Sequence, residues 1–256
     1  MNSLTQLHRA FNHIRYYDQD HTYVDTNTGE QLISCTTFIK DYQQAFQKDF
    51  WLKKKAKEYN TSEEELNDQW NKDRIIGTTR GTMIHKYIEN LWMNKDFPIE
   101  YPKFIHTLNS LEFITFHKSF EKLKGFADNF IQDYSHLIPI KLEVVFGDSE
   151  LGVAGQCDAL VYDTEQECFA IYDWKSDKKI DIHNKYQNFK RPLTHLSQCE
   201  FNKYSLQLSI YQYLLERNTD IKVGYRKIIW FNHKNDNYEP FDIPYLEQEM
   251  KTIFTK

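Results

Sequence analysis

Two short apolar segments joined by a polar break constrain this sequence more than any other feature. They lie within Leu151–Ser176, LGVAGQCDALVYDTEQECFAIYDWKS, and the break is the run 163–167, DTEQE. Apolar runs of this length, bounded by polar turn residues, indicate the two strands of a β-hairpin. Because side chains alternate across a strand, Asp173 and Lys175 should share one face while Trp174 points into the core.

Ionisable side chains interrupt both predicted strands. Asp158 lies in the first strand, and Asp173 and Lys175 lie in the second. Charged groups in a core are costly unless they bind something, and Mg²⁺ is held by one or two protein carboxylates in phosphodiester hydrolysis. We therefore predict Asp158, Asp173 and the backbone carbonyl of Trp174 as metal ligands. Lys175 is predicted to orient or deprotonate the attacking water and to stabilise charge on the phosphorus.

Further candidate residues lie outside the hairpin. His85 and Glu89 are four residues apart in GTMIHKYIENLW, so on a helix over 80–94 they would be neighbours on one face. A lone helical histidine is more often structural, but as a ligand His85 would favour Mn²⁺ as well as Mg²⁺. Glu143 lies on a strand predicted just before the hairpin. We assign Glu143 and Glu89 supporting roles beside the ligands, and a structural role for Glu143 stays open.

Composition narrows the class of protein. The chain has 256 residues, of which 40% are hydrophobic and 16% aromatic. This is enough for a core and too apolar for disorder. The net charge of −5 argues against a general nucleic-acid coat protein. Basic clusters at 53–55 and 178–191 are suited to phosphate contacts, or are simply solvated. The sequence lacks a GxxxxGK[ST] motif, which argues against a built-in ATPase or helicase.

The cysteine pattern and the hydropathy of the sequence indicate the cellular compartment of the protein. Cys35, Cys157, Cys168 and Cys199 form no CxxC pair and show no zinc-finger spacing, so we predict reduced thiols. The N-terminus has no apolar signal region, and no apolar run approaches membrane-spanning length. The protein is therefore predicted to be soluble, intracellular and not bound to a membrane.

Several motifs, taken in order, resemble a known nuclease family. GTMIH, E…GxxGxxD, IxDWK and QLSIY follow one another between residues 77 and 232. The upstream segment LISCTTFIKDY resembles the opening of such proteins. Together they resemble the RecB-type nuclease domain of the PD-(D/E)xK superfamily. The likeness is greatest to single-domain exonucleases such as the mitochondrial genome maintenance exonuclease and related phage and viral proteins.

This resemblance implies roles for individual residues. It makes His85, Asp158 and Asp173 metal ligands, Lys175 the catalytic lysine, and Gln207 and Tyr211 a QxxxY pair that contacts DNA and shapes the site. On spacing alone, the QxxxY pair has the alternative of a half-exposed helix face. Some relatives hold an iron–sulfur cluster with one upstream cysteine and three near the C-terminus. Here Cys199 alone follows the lysine, so we predict no iron–sulfur cluster.

The predicted fold is α/β, with a restriction-endonuclease-like core and N-terminal helical additions. A central mixed sheet is expected from 141–147, 152–162, 167–175 and 224–232, flanked by helices over 80–94, which Gly81 and Thr82 could start, and over 203–217. Further helices are predicted over 38–57, with a cap within 34–37, and over 61–72. We expect 1–256 to form a single nuclease domain, with an N-terminal elaboration at 1–76, the catalytic core at 77–232 and a C-terminal helix at 233–256.

The predicted function is a Mg²⁺- or Mn²⁺-dependent DNA nuclease. No helix-turn-helix or zinc finger is apparent, so a sequence-nonspecific exonuclease acting on DNA ends in repair, recombination or replication is favoured. A replication or recombination protein is a possible partner. One alternative is a structure- or sequence-specific endonuclease on the same fold, which would cut closed circles. Another is a non-catalytic nucleic-acid-binding protein, which the buried charges argue against.

Overall fold

The computed structural model of the protein describes residues 2–255. Within that range an eight-stranded mixed sheet is flanked by seven α-helices. The strands are β1 Ile14–Tyr17, β2 Thr22–Asp25, β3 Gln31–Ser34, β4 Leu137–Asp148, β5 Val153–Asp163, β6 Cys168–Lys175, β7 Val223–Trp230 and β8 Glu239–Asp242. The helices are α1 Ser3–Phe11, α2 Cys35–Asp41, α3 Lys48–Tyr59, α4 Glu63–Trp92, α5 Ser110–Asp133, α6 Glu200–Asn218 and α7 Glu247–Phe254. The α/β fold with a central mixed sheet is thereby confirmed.

Strand β5 is the branch point of the sheet. Strand β4 pairs antiparallel along the whole of β5. The other edge of β5 is shared, because β3 pairs parallel at Val153 and Ala154, whereas β6 pairs antiparallel from Ala159 onward. Beyond β6 the order continues through parallel β7 to antiparallel β8. The edge of β5 between Ala154 and Ala159 is therefore free of strand partners on the β3 and β6 side.

The helices divide into two groups that cover opposite sides of the sheet. On one side, α6 packs over Leu160 and Ile171 within a core that also includes residues of α1, α2 and α7. On the other side, α4 and α5 pack over Tyr172 and Trp174. Trp174 contacts the rings of Trp92, Phe130 and Phe231. The prediction that Trp174 points into a core is confirmed.

Helix α4 differs from its prediction. The sequence pattern predicted a short helix over 61–72 and a second one beginning near Gly81, but one helix runs from Glu63 to Trp92. A capping box between Ser62 and Glu65 starts it. Gly81 was interpreted as the start of a helix, yet it lies inside α4, where an added Cβ would lie 2.7 Å from Ser176 Oγ. Because residue 81 has no side chain, the uninterrupted helix α4 can lie close to Ser176 at the end of β6.

Smaller corrections concern the periphery of the fold. The apolar pattern over 38–57 predicted one helix, whereas α2 and α3 are separate helices with a break at 42–47. Helix α1, strand β1 and strand β8 were not predicted. The cap predicted within 34–37 is Ser34, whose side chain accepts from the Thr37 N–H, but α2 begins at Cys35 and not near Phe38. No helix within residues 2–255 is both long enough and apolar enough to cross a membrane.

Candidate active site

The open end of the β5–β6 hairpin carries the predicted acidic residues. The last regular pair of the ladder is Ala159 with Tyr172, and Asp158 and Asp173 occupy the next two facing positions. There a side chain replaces the backbone as hydrogen-bond acceptor, since Asp158 Oδ2 accepts a 2.6 Å hydrogen bond from the Trp174 N–H. The N–H and C=O of one strand residue point to the same side. The Trp174 carbonyl therefore lies on the Asp158 side of β6.

Asp173 and Lys175 share a face of β6, as alternation predicted. The Lys175 ammonium forms an ion pair with Asp173 Oδ2 and lies 4.8 Å from the centre of the Tyr204 ring. Asp173 is 2% exposed, and within residues 2–255 its Oδ2 receives no hydrogen bond of acceptable geometry. Burial, opposed by Lys175 and reinforced by Asp158, raises the pKa of Asp173 to about 6. This carboxylate is therefore incompletely satisfied by the protein.

Helix α4 brings His85 to the carboxylates. His85 Nδ1 lies 3.4 Å from Asp158 Oδ1. Burial lowers the pKa of His85, but the charge and hydrogen bond of Asp158 together with the charge of Asp173 outweigh it, and the net shift is upward. For Asp158, burial is outweighed by His85, Lys175 and the Trp174 N–H, so its pKa falls. The histidine and the aspartate thus stabilise each other's charged forms.

Glu143 faces Asp158 from strand β4. It occupies the position between the pairs Leu142–Ala159 and Val144–Cys157, and its backbone is left-handed with φ of 48°. A left-handed conformation is uncommon for a non-glycine residue and strained inside a strand. Burial and then the Asp158 charge raise the pKa of Glu143 to about 8. Glu143 was predicted to have a supporting role, but its carboxylate lies close enough to Asp158 for both to be ligands of one metal ion.

Three of these side chains have the geometry of a metal site. One donor atom from each of His85, Glu143 and Asp158 lies within 4.8 Å of the others, and we call these three residues the ligand cluster. Two carboxylates and an imidazole form a donor set that fits Mg²⁺ or Mn²⁺, and Asp173, whose Oδ2 pairs with Lys175, lies beside this set and is not part of it. The other predicted acid, Glu89, lines the same cavity, where its carboxylate pairs with Lys86 at 2.8 Å.

The QxxxY pair lies behind the carboxylates on α6. Gln207 Nε2 donates a 2.8 Å hydrogen bond to Tyr211 Oη. Tyr211 is 2% exposed and packs so closely on β5 that a Cβ at Gly155 would lie 2.6 Å from its ring. This contact explains the second glycine of GxxGxxD. The arrangement suits a positioning role, and DNA contact by the pair stays a prediction.

Two nearby residues were missed by sequence reasoning. Tyr204 lies under the Lys175 ammonium and donates a 2.5 Å hydrogen bond from its hydroxyl to Asp177 Oδ2. Tyr204 precedes Tyr211 by seven residues, two helical turns, so the spacing along α6 was an available signal. Arg80 is buried beside the site on α4. Its sequence context, RGT before a helical run, gave no signal for an arginine inside the protein.

This geometry agrees with a family assignment. A model of the PD-(D/E)XK nuclease superfamily matches residues 63–251, which include α4, the β5–β6 hairpin and α6. The chain belongs to the PD-(D/E)XK nuclease superfamily, and this membership indicates a nuclease. The likeness to RecB-type, mitochondrial and viral members within that superfamily stays a prediction.

Other comparisons add little. No curated protein matches this chain. One similar solved structure is the crystal structure of SSO0001, with 11% sequence identity, coverage of 68% of this chain and 81% of that chain, and a TM-score of 0.29. With so low a TM-score, that likeness carries no weight in assigning a function.

Proposed function

We propose that this protein is a divalent-metal-dependent deoxyribonuclease, most simply a sequence-nonspecific exonuclease acting in DNA repair, recombination or replication. The observation that carries the proposal is the meeting of the ligand cluster with Asp173 and Lys175 at the open end of one hairpin. Two carboxylates and a histidine converge there beside a buried ammonium. A phosphodiesterase needs such a combination of charges.

The residues divide the chemistry between them. The ligand cluster and Asp173 would hold Mg²⁺ or Mn²⁺, with the Trp174 carbonyl as a further ligand. When bound, such a cation neutralises phosphate charge and lowers the pKa of water. Lys175 is held by its ion pair with Asp173, and from there its ammonium orients the attacking water and stabilises negative charge on the phosphorus.

Several further properties belong to the same proposal. We infer that residues 1–256 act as one nuclease domain with DNA ends as substrate and a replication or recombination protein as a partner. Gln207 and Tyr211 would shape the site next to the bound strand. We also infer an intracellular protein without an iron–sulfur cluster, in keeping with four cysteines that form no disulfide.

Digestion of end-labelled DNA tests the proposal. Linear single-stranded, linear double-stranded and closed circular DNA would each be incubated with Mg²⁺, with Mn²⁺ or with EDTA. We expect linear DNA to be degraded with metal, the circle to survive, and Lys175→Ala to be inert. Cleavage of the circle would move the assignment to an endonuclease on the same fold.

A control is needed against contaminating nucleases. Lys251→Ala removes a surface lysine on α7 that pairs with Glu247, and it should keep activity when purified in parallel with Lys175→Ala. Identical, low activity of wild type and Lys175→Ala on every substrate and with both metals would overturn the catalytic proposal. A non-catalytic nucleic-acid-binding protein would then be the better description.

A further inference from the structure

The side chain of Arg80 is a buried cation with almost no protein partner. It is 7% exposed, and its Nη1 donates one long hydrogen bond of 3.4 Å to Ser119 Oγ. Within residues 2–255 its Nε donates no hydrogen bond and no carboxylate forms an ion pair with it. A guanidinium buried without an anion is costly, and burial lowers the pKa of Arg80. An anion supplied from outside the protein would offset this cost.

Two other arginines show how the chain satisfies a guanidinium elsewhere. Arg226 is nearly as buried as Arg80, but it donates to a side-chain amide oxygen and to a backbone carbonyl. Arg217 donates to two carboxylates at 2.9 and 2.6 Å. The poorly satisfied state of Arg80 is therefore specific to its position.

The charges around Arg80 also favour an anion. The pKa of His233 is lowered to about 4, first by burial and then by the charges of Arg80, Lys234 and Lys122. The charge of Arg80 thus acts on His233 as well. Positive potential in a partly enclosed site attracts anions.

The nearest carboxylates are already engaged. Asp73 pairs with Lys178 at 2.8 Å and accepts from Gln69 at 2.7 Å. Asp177 accepts from the Tyr204 hydroxyl. Neither carboxylate forms an ion pair with Arg80, so an incoming anion would not have to displace one.

Arg80 lines a cavity between α4 and the segment that follows β6. The cavity measures about 380 Å³, and it is lined by Arg74, Thr78, Ser176 and Lys178 together with the engaged carboxylates Asp73 and Asp177. Thr78 lines the cavity of the ligand cluster as well, so the two openings adjoin across α4. Guanidinium, ammonium and hydroxyl groups are the side chains that bind phosphate.

We propose that this cavity, the Arg80 subsite, binds a phosphate group of the nucleic-acid substrate other than the one that is hydrolysed. The proposal rests on the proposed function for the identity of the substrate. Arg80 precedes His85 by five residues, which is a rise of about 7.5 Å along a helix. The subsite is therefore offset from the ligand cluster along α4. A phosphate within the strand and a terminal phosphate share this chemistry.

The first test needs no catalysis. Inorganic phosphate is titrated into metal-free protein in EDTA, with sodium chloride at matched ionic strength, and Tm is recorded. We expect phosphate to raise the Tm of the wild type more than that of Arg80→Leu. Arg217→Leu, which removes an arginine far from the cavity, should respond as the wild type does. Equal increments in the wild type and Arg80→Leu would overturn the subsite.

The second test distinguishes the two sources of phosphate. Fluorescein-labelled single-stranded DNA with either phosphate or hydroxyl at its unlabelled end is bound in EDTA, and Kd is measured against salt. Arg80→Leu should weaken binding about tenfold or more and reduce the salt slope by about one. A loss confined to phosphorylated ends identifies a terminal phosphate, and a loss on both ends identifies one within the strand. An unchanged Kd and salt slope would overturn the proposal.

Further variants and outcomes distinguish loss of the subsite from loss of folding or of catalysis. Removing a poorly paired buried charge should leave Arg80→Leu folded, and Arg80→Lys, which keeps the charge, should regain part of the phosphate response. Wild-type protein that responds to phosphate but hydrolyses nothing supports the subsite and refutes the nuclease proposal. Hydrolysis by the wild type without an Arg80-dependent phosphate response refutes the subsite alone.

Discussion

The two ends of the β5–β6 hairpin each bury an aspartate, and the protein surrounds the two carboxylates differently. At the turn, Asp163 accepts backbone hydrogen bonds from Glu165 and Gln166 at 2.8 and 2.9 Å and a third from the Tyr225 hydroxyl at 2.6 Å. Burial alone would raise the pKa of Asp163, but Tyr225 and the turn N–H groups lower it overall. At the open end, Asp173 pairs with the Lys175 ammonium, and no backbone N–H group within residues 2–255 donates to its buried Oδ2.

We expect this difference in hydrogen-bond donors to distinguish a structural carboxylate, Asp163, from a metal-binding one, Asp173. Both side chains are nearly inaccessible, at 1% for Asp163 and 2% for Asp173. Burial alone therefore does not distinguish them, whereas the number of donors does. A carboxylate with its lone pairs filled by the protein stabilises the fold. One with an unsatisfied oxygen is stable in place only if a ligand completes it, which is the state expected of a metal ligand.

The largest expected effect is on activity. Asp173→Asn should lower kcat on linear DNA by about 10²- to 10⁴-fold, because it removes a charge from the metal and from Lys175. Asp163→Asn should stay within about threefold of the wild type. Initial rates on end-labelled DNA give both values. If folded Asp163→Asn were as inactive as Asp173→Asn, the contrast between the two ends would be wrong.

Stability should show the reverse order. Asp163→Ala leaves two backbone N–H groups and the Tyr225 hydroxyl without their acceptor, so it should lower the free energy of unfolding by about 2 kcal/mol. Asp173→Asn keeps an acceptor for Lys175 and removes a poorly satisfied charge, so its effect should be below about 1 kcal/mol. Urea unfolding in EDTA measures both. A larger loss for Asp173→Asn would identify Asp173 as structural.

The pH dependence of metal-free stability should also differ between the two ends. Folding raises the pKa of Asp173 from 3.8 to about 6 and that of Glu143 from 4.5 to about 8. The folded state then binds more protons than the unfolded state, so the free energy of unfolding should fall as pH rises from about 4 to about 8. The lowered pKa of Asp163 has the opposite sign, and its stabilisation should be lost as pH falls below about 4.

A bound metal ion and a substitution of Glu143 should each change this pH dependence of stability. Saturating Mn²⁺ or Mg²⁺ at pH 8 should restore stability, by about 2.7 kcal/mol at 100 times Kd. Glu143→Gln should flatten the upper part of the metal-free pH profile. Denaturation in EDTA at several pH values provides the measurement. A profile that rises through this range would show that the buried carboxylates are satisfied without metal.

The smallest effect concerns the hydroxyl that donates to Asp163. Tyr225→Phe should lower the free energy of unfolding by about 1 kcal/mol, and activity should not change. Combined with Asp163→Asn in a double-mutant cycle, it should cost less than the sum of the two single changes. Strict additivity in the cycle would mean that Tyr225 and Asp163 do not interact.

The central sheet was predictable because its signal is local. Alternation along FAIYDWK assigned Asp173 and Lys175 to one face and Trp174 to the other. The periodicity of a single strand does not predict that Glu143 lies next to Asp158, because the Glu143 backbone is left-handed, with φ of 48°. The burial of Tyr211 could not be predicted from the sequence either, since it depends on the close packing of α6 on Gly155.

The remaining errors arise where tertiary contact overrides local preference. Gly81 was taken as a helix start, but the glycine serves the approach of α4 to Ser176. Asp163 was assigned to a polar turn, and nothing in DTEQE indicates that Tyr225, 62 residues away in sequence, donates to it. Arg80 lacked any signal, because a buried arginine without a partner contradicts the usual distribution of charge.

The hydrogen bond from the Trp174 N–H to Asp158 makes one backbone amide a probe of the site. At 2.6 Å, the amide proton is polarised by the carboxylate of Asp158, which is itself a member of the ligand cluster. A cation that draws electron density from Asp158 would shift the amide proton resonance of Trp174 and change its rate of exchange with solvent deuterium. Occupancy of the site can thus be followed by NMR at a single residue, without substrate and without turnover.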